Sequence, residues 1–131
     1  MTIYRKILPN PNVIGPATLT DITGLSPITI QAGQPDYTFQ ATLAVSGLTI
    51  PTLSSGWGVV FRIMQGSTIL GSHYMGELNG GFQPSFTMTA VGDVCPTGST
   101  EDISVKWQVY GGIKAYLREP ASFSILWDNR P

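Results

Sequence analysis

Apolar and polar residues take turns along most of this chain, and no other feature limits its fold as much. Tyr37, Phe39, Ala41, Leu43 and Val45 alternate with Thr38, Gln40, Thr42 and Ala44. Phe86, Met88 and Ala90 alternate with Thr87 and Thr89, and Phe123, Ile125 and Trp127 with Ser122, Ser124 and Asp128. Ile103, Val105, Trp107 and Val109 alternate with Ser104, Lys106, Gln108 and Tyr110. A period of two sends successive side chains to opposite faces, so each run predicts a half-buried strand. The run from Trp57 to Met64 is nearly all apolar, which predicts a strand covered on both faces with Arg62 as the exception. Residues 67–75 form another strand, irregular at Gly71. Fifteen glycines and ten prolines are spread so that no window remains for a three-turn helix. Turn signals fall at Gly24, at 32–36, Gly47, 54–56, 65–66, 79–81, 95–99 and 111–112. The Gly111–Gly112 pair predicts a tight hairpin. The expectation is an all-β fold: one antiparallel β-sandwich of jelly-roll type over residues 18–131, with eight or nine strands.

Residues 1–17 break this pattern. Pro9, Pro11 and Pro16 remove ladder donors and hold their predecessors extended. The segment reads as an extended N-terminal arm rather than a core strand. It is too apolar for a solvated linker, because it carries Ile3, Tyr4, Ile7, Leu8, Val13 and Ile14. Either the arm packs along its own domain or it reaches a neighbouring subunit. Under the second reading those six residues form the partner-binding surface.

At 131 residues the chain is long enough to bury a core without disulfides. Only 11% of residues are charged, against about 25% in ordinary soluble domains. A surface so poor in charge favours association. Seven basic and eight acidic residues give a net charge of −1, so no field of one sign exists to draw nucleic acid or anionic lipid. The beginning of the sequence has no apolar run of signal-peptide length, and no stretch approaches a membrane span, so synthesis in the cytoplasm is expected.

Catalytic equipment is scarce. His73 is the only histidine, and no serine stands in a nucleophile-elbow pattern. Its place in a strand beside Tyr74 predicts a surface or interface histidine. Cys95, the only cysteine, lies in a loop and reads as an inert small residue. One histidine, one cysteine and eight scattered acids predict neither a zinc nor a calcium site. No phosphate-cradling glycine motif occurs. The expectation is a non-enzyme without metal or cofactor. Trp57, Trp107 and Trp127 would suit a sugar-binding platform if exposed, but all three fall on apolar phases and are expected in the core. The core should centre on Phe39, Leu43, Phe61, Ile63, Val105, Trp107 and Ile125.

Two segments carry a resemblance: TLTDITGLSPITIQAGQPDYTFQATLAVSG (18–47) and FTMTAVGDVCPTGSTEDISVKWQVYGGIKAYLREPASFSILW (86–127). The order of a "TDITGL" start, a long strand, a Pro/Gly loop, "VKWQV", a glycine pair and a closing "ASFSIL" strand resembles the small jelly-roll modules of bacteriophage virion proteins. These occur as tail-fibre tips, head fibres and capsid decoration proteins, and are similar to the trimeric tumour-necrosis-factor and complement globular heads. The resemblance implies a homotrimer and no catalytic residues. With the short arm and no shaft repeat, it implies a capsid decoration (cement) protein, located on the virion surface and partnered with the major capsid protein. The alternatives are a receptor-binding fibre tip and a carbohydrate-binding β-sandwich, in which the partner is a glycan.

Overall fold

The computed structural model describes residues 2–8, 13–31, 37–78, 81–94, 100–118 and 120–128. Pro9, Pro11, Cys95, the turn segments at 32–36 and 95–99 and the side chain of Trp127 lie outside that description.

Every regular element among the described residues is a strand. Eight are long enough to carry the sheets: β1 (Thr2–Leu8), β4 (Ile28–Gln31), β5 (Tyr37–Val45), β7 (Gly58–Gln65), β8 (Thr68–Gly76), β9 (Phe86–Val94), β10 (Thr100–Tyr110) and β12 (Ala121–Asp128). Four are two-residue pieces: β2 (Val13–Ile14), β3 (Thr20–Asp21), β6 (Leu48–Thr49) and β11 (Tyr116–Leu117).

One sheet runs β1-β12-β5-β9. The other runs β3-β10-β7-β8, with β4 also paired to β10. All pairings are antiparallel. The pairs β1·β12, β4·β10, β5·β9 and β7·β8 are nested, like successive rungs of one long hairpin folded into two layers. The two sheets together make an antiparallel β-sandwich. The hairpin tip is Gly66–Ser67, where Gln65 pairs Thr68 and Gly66 has φ 58°, a left-handed value that suits glycine.

Alternation decides what lies between the layers. Phe39, Leu43, Phe61, Ile63, Val105, Trp107 and Ile125 are all buried in one shared cluster. Trp107 stacks on Phe61 with centroids 5.6 Å apart, and Phe61 meets Phe86 of the opposite sheet at 4.8 Å. The irregularity foreseen at Gly71 is a bulge: Ile63 pairs Gly71 but Met64 pairs Ile69, leaving Leu70 without a partner.

Two expectations need correction. The N-terminal segment, expected as an extended arm rather than a strand, contains the edge strand β1, which pairs with β12 over its whole length, Thr2 to Leu8, so this part lies along its own domain. Its residues alternate as an edge strand does, and an edge position tolerates the prolines that follow. Gly111 and Gly112 both have positive φ but do not close a hairpin. The chain leaves β10 there and enters β11, which pairs with β2 and β6 in a third small sheet. A Cβ on Gly111 would stand 2.5 Å from the Trp57 Cα, so close backbone approach is what requires glycine there.

Candidate functional site

The six arm residues divide by phase. Tyr4, Leu8 and Val13 are partly buried against the core. Ile3, Ile7 and Ile14 are more than half exposed. Ile3 and Ile7 face outward on the sheet β1-β12-β5-β9, in register with Leu126 and Ser122. Among the described side chains, the rest of that outer face is Ser124, Thr38, Gln40, Thr42, Ala44, Thr87, Thr89 and Val91, with Arg5 and Asp93 as charged members. None of these outward side chains is aromatic.

The outer face of β10-β7-β8 is different. Register sets its rows: Tyr110–Gly58–Gly76, then Gln108–Val60–Tyr74, then Lys106–Arg62–Ser72, then Ser104–Met64–Ile69. Two tyrosine rings are exposed on it, Tyr74 at 44% and Tyr110 at 40%. Tyr110 leans over Gly58, where a Cβ would strike its ring at 2.2 Å. The missing side chain of Gly58 is therefore what lets that ring lie against the sheet. Val60 belongs to the outward phase and lies outside the core cluster, yet it is only 3% exposed. Its cross-strand neighbours Gln108 and Tyr74 flank it. The face is thus a packed second layer of aromatic, aliphatic and polar side chains rather than a solvated fringe.

Arg62 stands in the middle of this layer, half-buried. Its Nη2 donates to the Tyr74 hydroxyl at 3.1 Å. That bond, with a smaller contribution from Ser72, holds the Tyr74 phenol below its ordinary pKa. Gln108 Nε2 donates to the Ala17 carbonyl at 3.0 Å, which fixes its side chain along the face.

Two other places bring polar and aromatic groups together. A cleft of about 380 Å³ at one end of the sandwich is lined by Pro51, Thr52, Ser54, Gly112, Ile113, Lys114 and Tyr116. The Arg118 guanidinium lies 4.6 Å from the Tyr116 ring centre, so one face of that ring is already occupied. His73, on the inward phase of edge strand β8, stacks on Phe86 with centroids 4.3 Å apart. Its Nε2 lies 2.6 Å from the Gln83 Oε1. The one histidine is therefore engaged on both ring face and ring edge, bridging the two sheets where they meet.

Trp57 and Trp107 are buried, as their phase predicted. Among the described side chains, the aromatics that reach solvent from a sheet face are Tyr74 and Tyr110, not tryptophans. The signal was nevertheless present: Tyr110 falls in the polar phase of its strand, behind Ser104, Lys106 and Gln108. An aromatic ring on the polar phase faces outward by the same rule that buries one on the apolar phase.

No protein-family model matches the chain, and no curated protein matches it. Among solved structures it is similar to the C-terminal domain of EclA, a sugar-binding protein, at 12% identity and a TM-score of 0.40, covering 98% of this chain and 79% of that one. It is also similar to the carbohydrate binding module CBM6cm-2 from Cellvibrio mixtus lichenase 5A in complex with cellotriose, at 12% identity and a TM-score of 0.26, covering 91% of this chain and 97% of that one. At such identities and TM-scores neither likeness carries functional weight.

Proposed function

We propose that this chain is a non-catalytic saccharide-binding β-sandwich whose working surface is the outer face of β10-β7-β8. The observation that carries this reading is the pair of exposed tyrosine rings, Tyr74 and Tyr110, set among side chains with hydrogen-bonding groups on a packed sheet. A sugar ring presents axial C–H groups to a flat aromatic face and hydroxyls at its rim. A platform with apolar rings and polar neighbours meets both needs. The binding reading is also supported by the engagement of His73 in packing and hydrogen bonding. The test is a glycan array probed with the full chain and with Tyr74→Ala and Tyr110→Ala. Binding that each variant weakens by about tenfold, or about 1.4 kcal/mol, supports the reading. An array without a single binder overturns it.

A second reading, assembly into a virion as a homotrimeric capsid decoration protein, is favoured by a separate observation. Ile3 at 59% and Val91 at 63% exposure stand at opposite edges of the other outer face, among small hydroxyl side chains. Apolar side chains left bare on such a surface favour association. Light scattering should then show an oligomer that Ile3→Asp with Ile7→Asp disperses; a monomeric parent chain contradicts this reading. Removing residues 1–17 is not an equivalent test, because it also removes β1 from its sheet.

A further inference from the structure

The outer face of β10-β7-β8 contains a cation with no counter-charge among the described residues. The Arg62 side chain makes one hydrogen bond, to the uncharged Tyr74 hydroxyl, and among the described residues no carboxylate lies within ion-pair distance of it. Its Nε is fully shielded from solvent and has no acceptor. A half-buried guanidinium usually finds an acid, because withdrawing charge from water is costly and a desolvated N–H without a partner costs about 1–3 kcal/mol. Here the residue directly opposite on β10 is Lys106, a second cation. Like charges facing each other across a strand pair are unfavourable by about 0.2–1 kcal/mol. On the other side Arg62 faces Ser72.

The acids that register places around Lys106 do not reach Arg62. Asp21 pairs with Lys106 from β3, two strands away from Arg62, which is about 9–10 Å. Its Oδ1 already accepts from the Ser26 hydroxyl at 3.0 Å. Asp102 is four residues along β10 from Lys106, about 13 Å, and accepts from the Thr29 hydroxyl at 2.6 Å. The unmet need for negative charge is therefore local to Arg62 and lies beside the Tyr74 ring. Guanidinium groups present several N–H donors in a planar fork that matches carboxylate and sulfate oxygens.

We propose that the saccharide held on this face is acidic, with its carboxylate or sulfate seated on Arg62, Lys106 beside it and the sugar ring against Tyr74. This inference rests on the saccharide reading and narrows it to a chemical class. The weak net charge of the whole chain is no obstacle, because recognition of a single anionic group needs one placed cation rather than a field.

The test titrates the full chain with a galacturonate tetramer, a sulfated cellotetraose and a sialic acid trimer. Each is paired with its neutral counterpart: the methyl ester, unsulfated cellotetraose and the methyl ester respectively. At least one acidic sugar should bind tenfold or more tightly than its neutral partner, and raising the salt concentration should narrow the gap. Arg62→Gln should bring that ratio to within about twofold of unity. Arg62→Lys, which keeps the charge and guards against a folding artefact, should retain part of it. Equal affinity for acidic and neutral members, or an acid preference that survives Arg62→Gln, overturns the inference and leaves saccharide binding standing. Failure of all six sugars, with an empty array, removes the saccharide reading itself and this inference with it.

Discussion

The two outer faces of the sandwich come from the same alternation rule but present opposite chemistry. On β1-β12-β5-β9 the outward positions hold small hydroxyl residues, a few aliphatics, Arg5 and Asp93. On β10-β7-β8 they hold two exposed tyrosines, two cations and a valine almost as buried as the core. Both sheets cover the same interior, so the core cannot explain the difference. A face that only had to be soluble would resemble the first. The second keeps Val60 and Met64 dry and holds Arg62 in place without an acid, which the stability of the sandwich does not require.

The comparison can be broken most forcefully by placing a charge on each face. Val60→Asp puts a carboxylate at a 3% exposed position and should cost about 3 kcal/mol or more. Thr42→Asp, on the half-exposed hydroxyl face, should cost less than about 1 kcal/mol. Chemical denaturation of both variants checks this, and equal losses would erase the distinction between a packed and a solvated face. A smaller change sharpens the role of Gly58. Gly58→Ala should push the Tyr110 ring off the sheet and weaken saccharide binding severalfold, while stability falls by only about 1 kcal/mol because the ring can swing outward. Retained affinity would mean that Tyr110 does not act from its place over Gly58. The smallest effect is on titration. Tyr74's folded-state pKa lies below its unfolded one, so folding favours the tyrosinate. The resulting stabilisation is present only at alkaline pH above the unfolded value, is lost as pH falls through the folded value, and is absent near neutrality. Ultraviolet titration should show one early tyrosinate that Arg62→Gln moves upward; an unmoved titration would detach Tyr74 from Arg62.

Much of this architecture was legible in the residue order. The period of two assigned Phe39, Leu43, Val105, Trp107 and Ile125 to the interior, and they are buried there. The near-continuous run at Trp57–Met64 showed that one strand is covered on both faces, and Arg62 was its marked exception. Pairing was less legible, because partners in a nested ribbon are far apart in sequence. Nothing local in Thr2–Leu8 says that it will pair with Ala121–Trp127, and the prolines that follow hid the edge strand. Gly111–Gly112 misled for a related reason: two glycines permit positive φ, but a hairpin also needs a returning strand, and the next one joins another sheet. The candidate site was half legible. Phase placed Tyr110 outward, but only register set Tyr74, Arg62 and Lys106 in adjoining rows.

The most direct test of the central claim compares the two faces in one binding measurement. Whichever saccharide the array selects is titrated calorimetrically into the parent chain, into a Tyr74→Ala, Tyr110→Ala double variant, and into a Thr42→Ala, Thr89→Ala double variant of the opposite face. The tyrosine pair should lose about a hundredfold, the product of two tenfold steps, and the threonine pair should keep the parent affinity. Equal losses, or a loss confined to the threonine pair, would contradict that claim.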